Sequence, residues 1–147
     1  MGKRTGQIRL FFDQYADRFN LALKTGDTDI DATVACFADC FVEASPVGVA
    51  CGKNDEQFRQ VIPQGYGFYK SIGIIAMNIL DKEVVILDDH HAMARIHWRS
   101  DYNRKDGKAG HIDFDVIYFV QDIGKGLKIF AYITGDEQKA LKDNGLI

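Results

Sequence analysis

Two aspartates, Asp113 and Asp115, are the side chains of this sequence best suited to acid–base chemistry. They lie in a segment, 110–121, where every second side chain is expected to share one face of a β-strand. A carboxylic acid in an apolar cavity has a raised pKa, because burial disfavours its charged form, and it can exchange a proton with a carbonyl compound. If both are buried, one should keep its proton at neutral pH. A structural role is equally open: Asp115 could hydrogen-bond a tyrosine, and Asp113 could face solvent or pair with an arginine.

The cysteine, serine and histidine residues give weaker signals. Cys36 and Cys40 stand one helical turn apart and are predicted to be small core residues, because no histidine is expected near them. Ser45 lacks the Gly-x-Ser-x-Gly context of a nucleophile and is predicted to lie in a turn at the rim of a pocket. The four histidines lack ligand spacing with acidic residues, so neither a metal site nor a cofactor is predicted.

Three helices are predicted in the first half of the chain to position these groups. The first covers about 7–24, where apolar residues keep helical spacing and Gly26 supplies the stop. A shorter helix is predicted after Asp29 or Asp31, either of which can cap it. A capping box at Asn54 predicts the start of the third. This third helix is expected to bend or loosen at one proline and two glycines, Pro63, Gly65 and Gly67.

The second half of the chain is predicted to be mainly strands. After a short strand at 41–45, period-two patterns predict strands near 74–87, 91–102, 110–121 and 127–135. Short connections between consecutive strands favour an antiparallel meander that curves around the helices, which is an α+β arrangement. A last short helix is expected from about Asp136 to Gly145.

Composition sets the class of protein. The 147 residues, 46% of them hydrophobic and 27% charged, predict one globular domain over 1–147. A formal net charge of −3 and dispersed basic residues argue against nucleic-acid binding. No apolar run approaches the roughly 20 residues of a membrane span. Three cysteines without a Cys-x-x-Cys pair predict reduced thiols and a cytoplasmic location.

Three short motifs carry a resemblance to a known family. They are Gly-Asp at 26–27, Phe-Ala-Asp at 37–39 and Ile-Thr-Gly-Asp-Glu at 133–137. With the order of elements, they make the chain similar over nearly its whole length to the nuclear transport factor 2-like superfamily, which includes ketosteroid isomerases, SnoaL-like polyketide cyclases and scytalone dehydratase. The resemblance implies a cone-shaped, curved antiparallel sheet wrapped around three N-terminal helices, an apolar cavity between them, and a convex face that commonly forms a homodimer.

The resemblance also implies site residues. Alignment with the ketosteroid isomerases puts Asp115 where that family holds its second, protonated aspartate, so Asp115 is expected to face the cavity. Ser45 stands where that family has its aspartate base, and Phe19 stands where it has a tyrosine hydroxyl. Tyr15, one helical turn before Phe19, could supply that hydroxyl instead. The expected pocket walls are Phe19, Ser45, Phe58, Tyr66, Tyr69, Trp98, Tyr102, Ile117, Phe119, Phe130 and Tyr132.

The faces of two other strands follow from their patterns. The more apolar set on 91–102 includes Trp98 and is predicted to face the cavity, which leaves His97 on the opposite face. On the last strand the resemblance turns Phe130 inward and Ile129 outward.

Two functions from different classes remain open at this point. The first is an isomerase, cyclase or dehydratase that moves a proton on a hydrophobic carbonyl compound with Asp115, assisted by Asp113 and Tyr15 and without a metal. The second is a non-catalytic module that binds a small apolar molecule in the same cavity or assembles through its dimer face. Fold alone cannot separate them.

Overall fold

The structure, a computed structural model, describes residues 2–147. Its helices are α1 (Lys3–Thr25), α2 (Ile30–Val34), α3 (Glu56–Ser71) and α4 (Glu137–Asp143). Its strands are β1 (Phe37–Ser45), β2 (Gly48–Lys53), β3 (Ile74–Ile86), β4 (His91–Asn103), β5 (Ala109–Gln121) and β6 (Lys128–Ile133). Among the described residues, no helix is long and apolar enough to cross a membrane.

The helix ends follow local chemistry. Gly26 ends α1 in the left-handed conformation, with φ of 80°, and its N–H donates to the carbonyl of Ala22. Asp55 caps α3 by accepting from the N–H of Phe58, so the predicted cap at Asn54 is wrong by one residue. Asn54 instead donates its amide to two backbone carbonyls and fastens α2 to β1. The third helix, α3, runs without interruption from Glu56 to Ser71 with Pro63 inside it, so the proline and the two glycines do not break it.

The strands form one curved, unclosed sheet in the order β2-β1-β6-β5-β4-β3. The predicted meander accounts for β3 to β6, which pair antiparallel in succession. The prediction missed β2, which pairs with β1 through a tight hairpin in which Ser45 lies opposite Gly48. It also missed that β1 runs parallel to β6, so the sheet is not purely antiparallel.

One side of the sheet, here called the inner face, packs on α1. Phe12 is fully buried there, and its ring centroid lies 4.7 Å from that of Tyr118 on β5. Asn20 fastens α1 to the edge strand β3, because its side chain donates to the carbonyl of Met77 and accepts from the N–H of the same residue. Apolar burial between α1 and the sheet is therefore the main source of cohesion on this side.

The orientation of β5 differs from the one that the resemblance implied. Residues directly opposite each other in an antiparallel pair share a face, and Trp98, which is buried on the inner face, lies opposite Phe114. His97 lies opposite Asp115, so both belong to the other side of the sheet, here called the outer face. The predicted inward orientation is therefore wrong for four residues of β5: Asp113, Asp115, Ile117 and Phe119.

A bulge explains the second error of orientation, on β6. The register between β5 and β6 shifts between the pair of Phe119 with Ala131 and the pair of Val120 with Ile129, which leaves Phe130 as the extra residue. Ile129 is therefore fully buried on the inner face, and the ring of Phe130 lies near that of Phe119, with centroids 6.2 Å apart on the outer face. The predicted orientations of Phe130 and Ile129 are both wrong, since a strict period of two does not survive a bulge.

Candidate functional site

A cavity of about 560 Å³ lies between the inner face of the sheet, α1, the end of α3, and α4 with the segment that leads into it. Seven of its lining side chains are aromatic: Tyr15, Phe19, Tyr69, Trp98, Phe114, Tyr118 and Tyr132. Ser100, which is buried, and Ser45 at the first hairpin also line it. The volume falls within the range of about 300–1,000 Å³ that is usual for small-molecule sites.

The predicted pocket residues divide into three groups. Six of the predicted wall and hydroxyl residues line the cavity: Tyr15, Phe19, Ser45, Tyr69, Trp98 and Tyr132. Three lie behind the wall: Phe58, Tyr66 and Tyr102. Those on the outer face are Asp113, Asp115, Ile117, Phe119 and Phe130. The structure thus brings the aromatic residues together but separates them from both aspartates.

The three residues behind the wall support it. The ring of Phe58 packs on that of Phe41, with centroids 5.0 Å apart. Tyr66 stands edge-on to Phe19 at 4.8 Å. Tyr102 occupies the far end of the inner face, where its hydroxyl lies 3.4 Å from Asn144 Oδ1. Tyr66 thus contacts a wall residue directly, and none of the three borders the cavity itself.

The polar groups of the cavity include two tyrosine–glutamate pairs. Tyr69 donates its hydroxyl to Glu137 Oε2 at 2.7 Å, and Tyr132 donates to Glu43 Oε2 at 3.3 Å. Glu43 lies on β1 directly opposite Tyr132 on β6, and Glu137 is the first residue of α4. Both glutamates are exposed and stand at the rim, while both tyrosines are partly buried.

The phenols of the cavity are held in their neutral form. Burial raises the pKa of Tyr15 and of Tyr118 well above the ordinary value for a phenol. Burial is also the largest cause of the raised pKa of Tyr69 and of Tyr132, and the neighbouring glutamate of each adds to the rise. These hydroxyls therefore act as neutral hydrogen-bonding groups at any physiological pH.

The two aspartates of the sequence prediction make ion pairs on the outer face. Asp115 Oδ1 lies 2.6 Å from His97 Nδ1, and the other ring nitrogen, Nε2, lies 2.6 Å from Glu83 Oε2. Asp113 accepts two bonds from Arg99, at 2.7 and 2.9 Å, and this guanidinium lowers the pKa of the Asp113 carboxyl. The expected raised pKa of a cavity carboxylic acid is thus wrong for Asp113.

A family model described as NTF2-like protein (DUF6841) matches residues 6–137. The chain belongs to this NTF2-like family. The predicted superfamily and the predicted α+β class are therefore confirmed.

Solved structures agree with this membership. The NTF2-like chain is similar to a ketosteroid isomerase-like protein from Erwinia carotovora atroseptica SCRI1043, with 19% identity, coverage of 92% of this chain and 97% of that chain, and a TM-score of 0.64. It is similar to an NTF2-like protein with a cystatin-like fold from Novosphingobium aromaticivorans, with 14% identity, coverage of 97% and 88%, and a TM-score of 0.68. At such identities the similarity shows the fold alone. No curated protein matches the chain.

Sequence reasoning on this NTF2-like protein missed Glu43 and Glu137. A signal for Glu43 was present, because it lies two residues before Ser45 on the same strand and must therefore share its face. Glu137 closes the Ile-Thr-Gly-Asp-Glu motif and is brought to the cavity because Asp136 caps α4, accepting from the N–H of Lys139. Neither glutamate stands out in the sequence, since its partner tyrosine is far away along the chain.

Sequence reasoning also missed a group of possible metal ligands on the outer face of the NTF2-like sheet. Asp81, Glu83 and His97 each offer one ligand atom, and these atoms lie within 4.8 Å of one another. Spacing along the chain hid the group because its members come from two adjacent strands. Both ring nitrogens of His97 already have carboxylate partners, so the group is also complete as an ion-pair network.

Of the cysteines, Cys36 is buried as predicted, and Cys40 is exposed on β1, so its prediction as a core residue is wrong. Arg18 donates to Cys36 Sγ at 2.8 Å. Burial nevertheless raises the pKa of the Cys36 thiol, and this disfavours the thiolate that a nucleophile requires.

The protonation of His97 gives a testable pH dependence. The bond to Glu83 is the largest cause of its raised pKa, and the bond to Asp115 adds to it. Because the folded protein favours protonated His97, this stabilisation is fully present below the unfolded pKa of about 6.5 and is lost as the pH rises through the higher folded pKa. We expect an NMR titration to give His97 a pKa above that value and Asp115→Asn to lower it. An unchanged pKa in the Asn variant contradicts the pairing.

Proposed function

We propose that this protein binds a small, largely apolar, ring-bearing molecule in the cavity of the inner face. The observation that carries the proposal is the wall of seven aromatic rings around about 560 Å³ of space, with hydrogen-bonding groups only at a few points. Aromatic rings bind a flat apolar body through stacked and edge-to-face contacts. The paired hydroxyls of Tyr69 and Tyr132 can orient a polar substituent of that ligand at the rim.

The sole tryptophan of the chain provides a direct test, because Trp98 is on the cavity wall. We expect compounds with two or three fused rings to change its fluorescence and to raise the melting temperature, since a ligand at about one hundred times its dissociation constant stabilises the fold by about 2.7 kcal/mol. Filling the cavity by Ser100→Leu should weaken binding at least about tenfold, which corresponds to about 1.4 kcal/mol.

Asp115→Asn is the matched control, because this aspartate lies on the outer face and the variant should keep wild-type affinity. Equal binding by wild type and Ser100→Leu contradicts a site in the cavity. The proposal also fails if no ring-bearing compound stabilises the wild type.

A second candidate function is acid–base catalysis at the same site by an isomerase, cyclase or dehydratase. The observation that favours it is Glu43, a carboxylate beside a phenol on the strand face that also carries Ser45, the position that the resemblance gives to a catalytic base. In this version Glu43, and not Asp115, accepts the proton from the ligand. Turnover of a bound ketone that is lost in Glu43→Gln and kept in Asp115→Asn supports it, and equal turnover in both variants excludes it.

We also propose that the outer face joins two copies of the chain into a homodimer in the cytoplasm. Four aliphatic side chains of this face are exposed by 37–71%: Val42, Val49, Val85 and Ile133. They form an apolar surface with the partly buried rings of Phe119 and Phe130. An apolar surface of this kind is usually covered by a partner. The free state of the cysteines is consistent with a reducing compartment.

The dimer proposal predicts that Ile133→Asp weakens self-association by about tenfold or more, because it buries an unpaired charge in the proposed interface. Sedimentation equilibrium over a range of protein concentrations measures the effect. Leu10→Asp is the matched control, since Leu10 is similarly exposed but lies on α1, on the opposite side of the sheet. A wild type that stays monomeric, or an equal effect of both variants, contradicts the proposal.

A further inference from the structure

We infer that the ligand of the cavity is a lipophilic cation, meaning an apolar ring system that carries an amine or a quaternary ammonium group. This inference rests on the proposed binding function and adds the charge of the ligand to it. Its basis is the combination of acidic groups at the rim with aromatic faces in the wall.

The charges around the cavity are all of one sign. Among the described residues, its ionisable lining groups other than tyrosines are Glu43, Asp136 and Glu137, and no lysine, arginine or histidine lines it. The field inside a cavity lined by one sign of charge favours a ligand of the opposite sign. A carboxylate or phosphate ligand has no cationic partner there, and burial of its charge without a partner is costly.

These acidic groups are not neutralised by the protein itself. Within residues 2–147, none of the three takes part in an ion pair. Their hydrogen-bond donors are neutral: the hydroxyl of Tyr132 for Glu43, the hydroxyl of Tyr69 for Glu137 and a backbone N–H for Asp136. Each of the two phenols bonds a single carboxylate oxygen, Oε2, so the charge of each glutamate remains available to a cation.

The aromatic wall strengthens the preference for a cation. The face of a tryptophan or tyrosine ring is negative and attracts a cation that lies within about 6 Å of the ring centre. Trp98, Tyr69 and Tyr132 all line the cavity, and the hydroxyls of the two tyrosines donate to the glutamates at the rim. The glutamates also contribute to the raised pKa values of these two phenols, as expected where the local potential is negative.

The test compares ligands of one shape and three charges. Naphthylmethylammonium, naphthylmethanol and naphthoate are titrated calorimetrically into the wild type at neutral pH and low salt, with matched sets on indole and decalin frameworks. We expect the ammonium compound to bind at least tenfold more tightly than the alcohol, and naphthoate to bind most weakly. Added salt should reduce the advantage of the ammonium compound and leave the affinity for the alcohol unchanged.

Isosteric variants assign the charge preference to the glutamates. In the double variant Glu43→Gln with Glu137→Gln, the ammonium compound should lose most of its advantage while the alcohol keeps its affinity; Asp115→Asn, on the outer face, should change neither. If the alcohol binds as tightly as the ammonium compound to wild type, the inference is overturned while the proposed binding function stands. If no compound of any framework binds, both fail.

Discussion

Replacement of Trp98 with alanine is expected to lower the free energy of unfolding by about 3–5 kcal/mol, the usual cost of deleting a large buried aromatic side chain. Trp98 is only 2% exposed and is one of the largest fully buried side chains of the described chain. It lies on β4, with β3 on one side and β5 on the other, and its ring centroid is 6.3 Å from that of Tyr15 on α1. The deletion thus removes contacts between the helix and the centre of the sheet. Because small domains have only about 5–15 kcal/mol of stability, this loss should be large enough to cause partial unfolding.

Urea denaturation followed by circular dichroism measures the effect, since the variant lacks the tryptophan signal. Trp98→Phe should lower the free energy of unfolding by less than Trp98→Ala, because it keeps an aromatic ring in the same space. Ile123→Ala is the surface control: Ile123 is 55% exposed, and its substitution should stay within about 0.5 kcal/mol of the wild type. A loss below about 1 kcal/mol for Trp98→Ala is not compatible with a packed wall at this position.

The same residue shows how far the sequence could locate the cavity. The alternation on β4 was enough to place Trp98 inward and His97 outward, because one set of side chains on that strand is much more apolar than the other. On β5 both sets contain apolar residues, so the pattern alone does not choose between them. The resemblance to the ketosteroid isomerases favours the set that contains Asp115, whereas the pairing of His97 with Asp115 puts that set on the outer face. Pairing between strands depends on tertiary structure, and the alternation of side chains within one strand does not determine it.

The remaining differences also have local physical causes. The sequence does not predict the hairpin between β1 and β2, because Pro46 and Gly48 indicate the end of a strand. They lie instead at a tight turn, after which the chain forms a second strand. The predicted orientation of the side chains on β6 is wrong at the bulge around Phe130. Element bounds were predicted well where a cap or a glycine fixes them, as at Gly26 and Asp136, because those signals act within one turn of the chain.

Glu43 and Glu137 illustrate what local patterns leave out: the strand pattern puts Glu43 on the face of Ser45, but no local pattern predicts which tyrosine either glutamate contacts. Each acquires its position in the cavity from a tyrosine that is far away in sequence, through the parallel pairing of β1 with β6 in one case and the docking of α4 against α3 in the other. The sequence could predict an apolar cavity and most of its rings. The acidic groups at the rim come from segments that are distant in sequence, and only the folded chain brings these segments together.

Replacement of Gly73, in the connection from α3 to β3, with alanine is expected to lower the free energy of unfolding by about 3 kcal/mol or more. Gly73 has φ of 100°, where a side chain is strained by about 1–3 kcal/mol. An added Cβ would also stand 2.2 Å from the carbonyl oxygen of Asn103, and overpacking of this kind typically costs about 1–3 kcal/mol. The backbone cannot retreat freely, since the N–H of Asn103 donates to the carbonyl of Gly73 at 2.8 Å.

Two other glycines separate the causes in the same urea experiment. Gly107→Ala has a positive φ of 86° but no atom within 4 Å of the new Cβ, so it should cost only about 1–2 kcal/mol. Gly67→Ala lies inside α3 with open space around it and should stabilise the protein by about 0.5–1 kcal/mol. Gly73 also lies between Tyr69 and Ile74, which both line the cavity, so a displaced backbone there moves two parts of its wall. A Gly73→Ala variant that is as stable as Gly107→Ala would mean that the connection from α3 to β3 can shift away from the end of β4 at no cost, and the cavity could then not have the fixed shape on which selective binding depends.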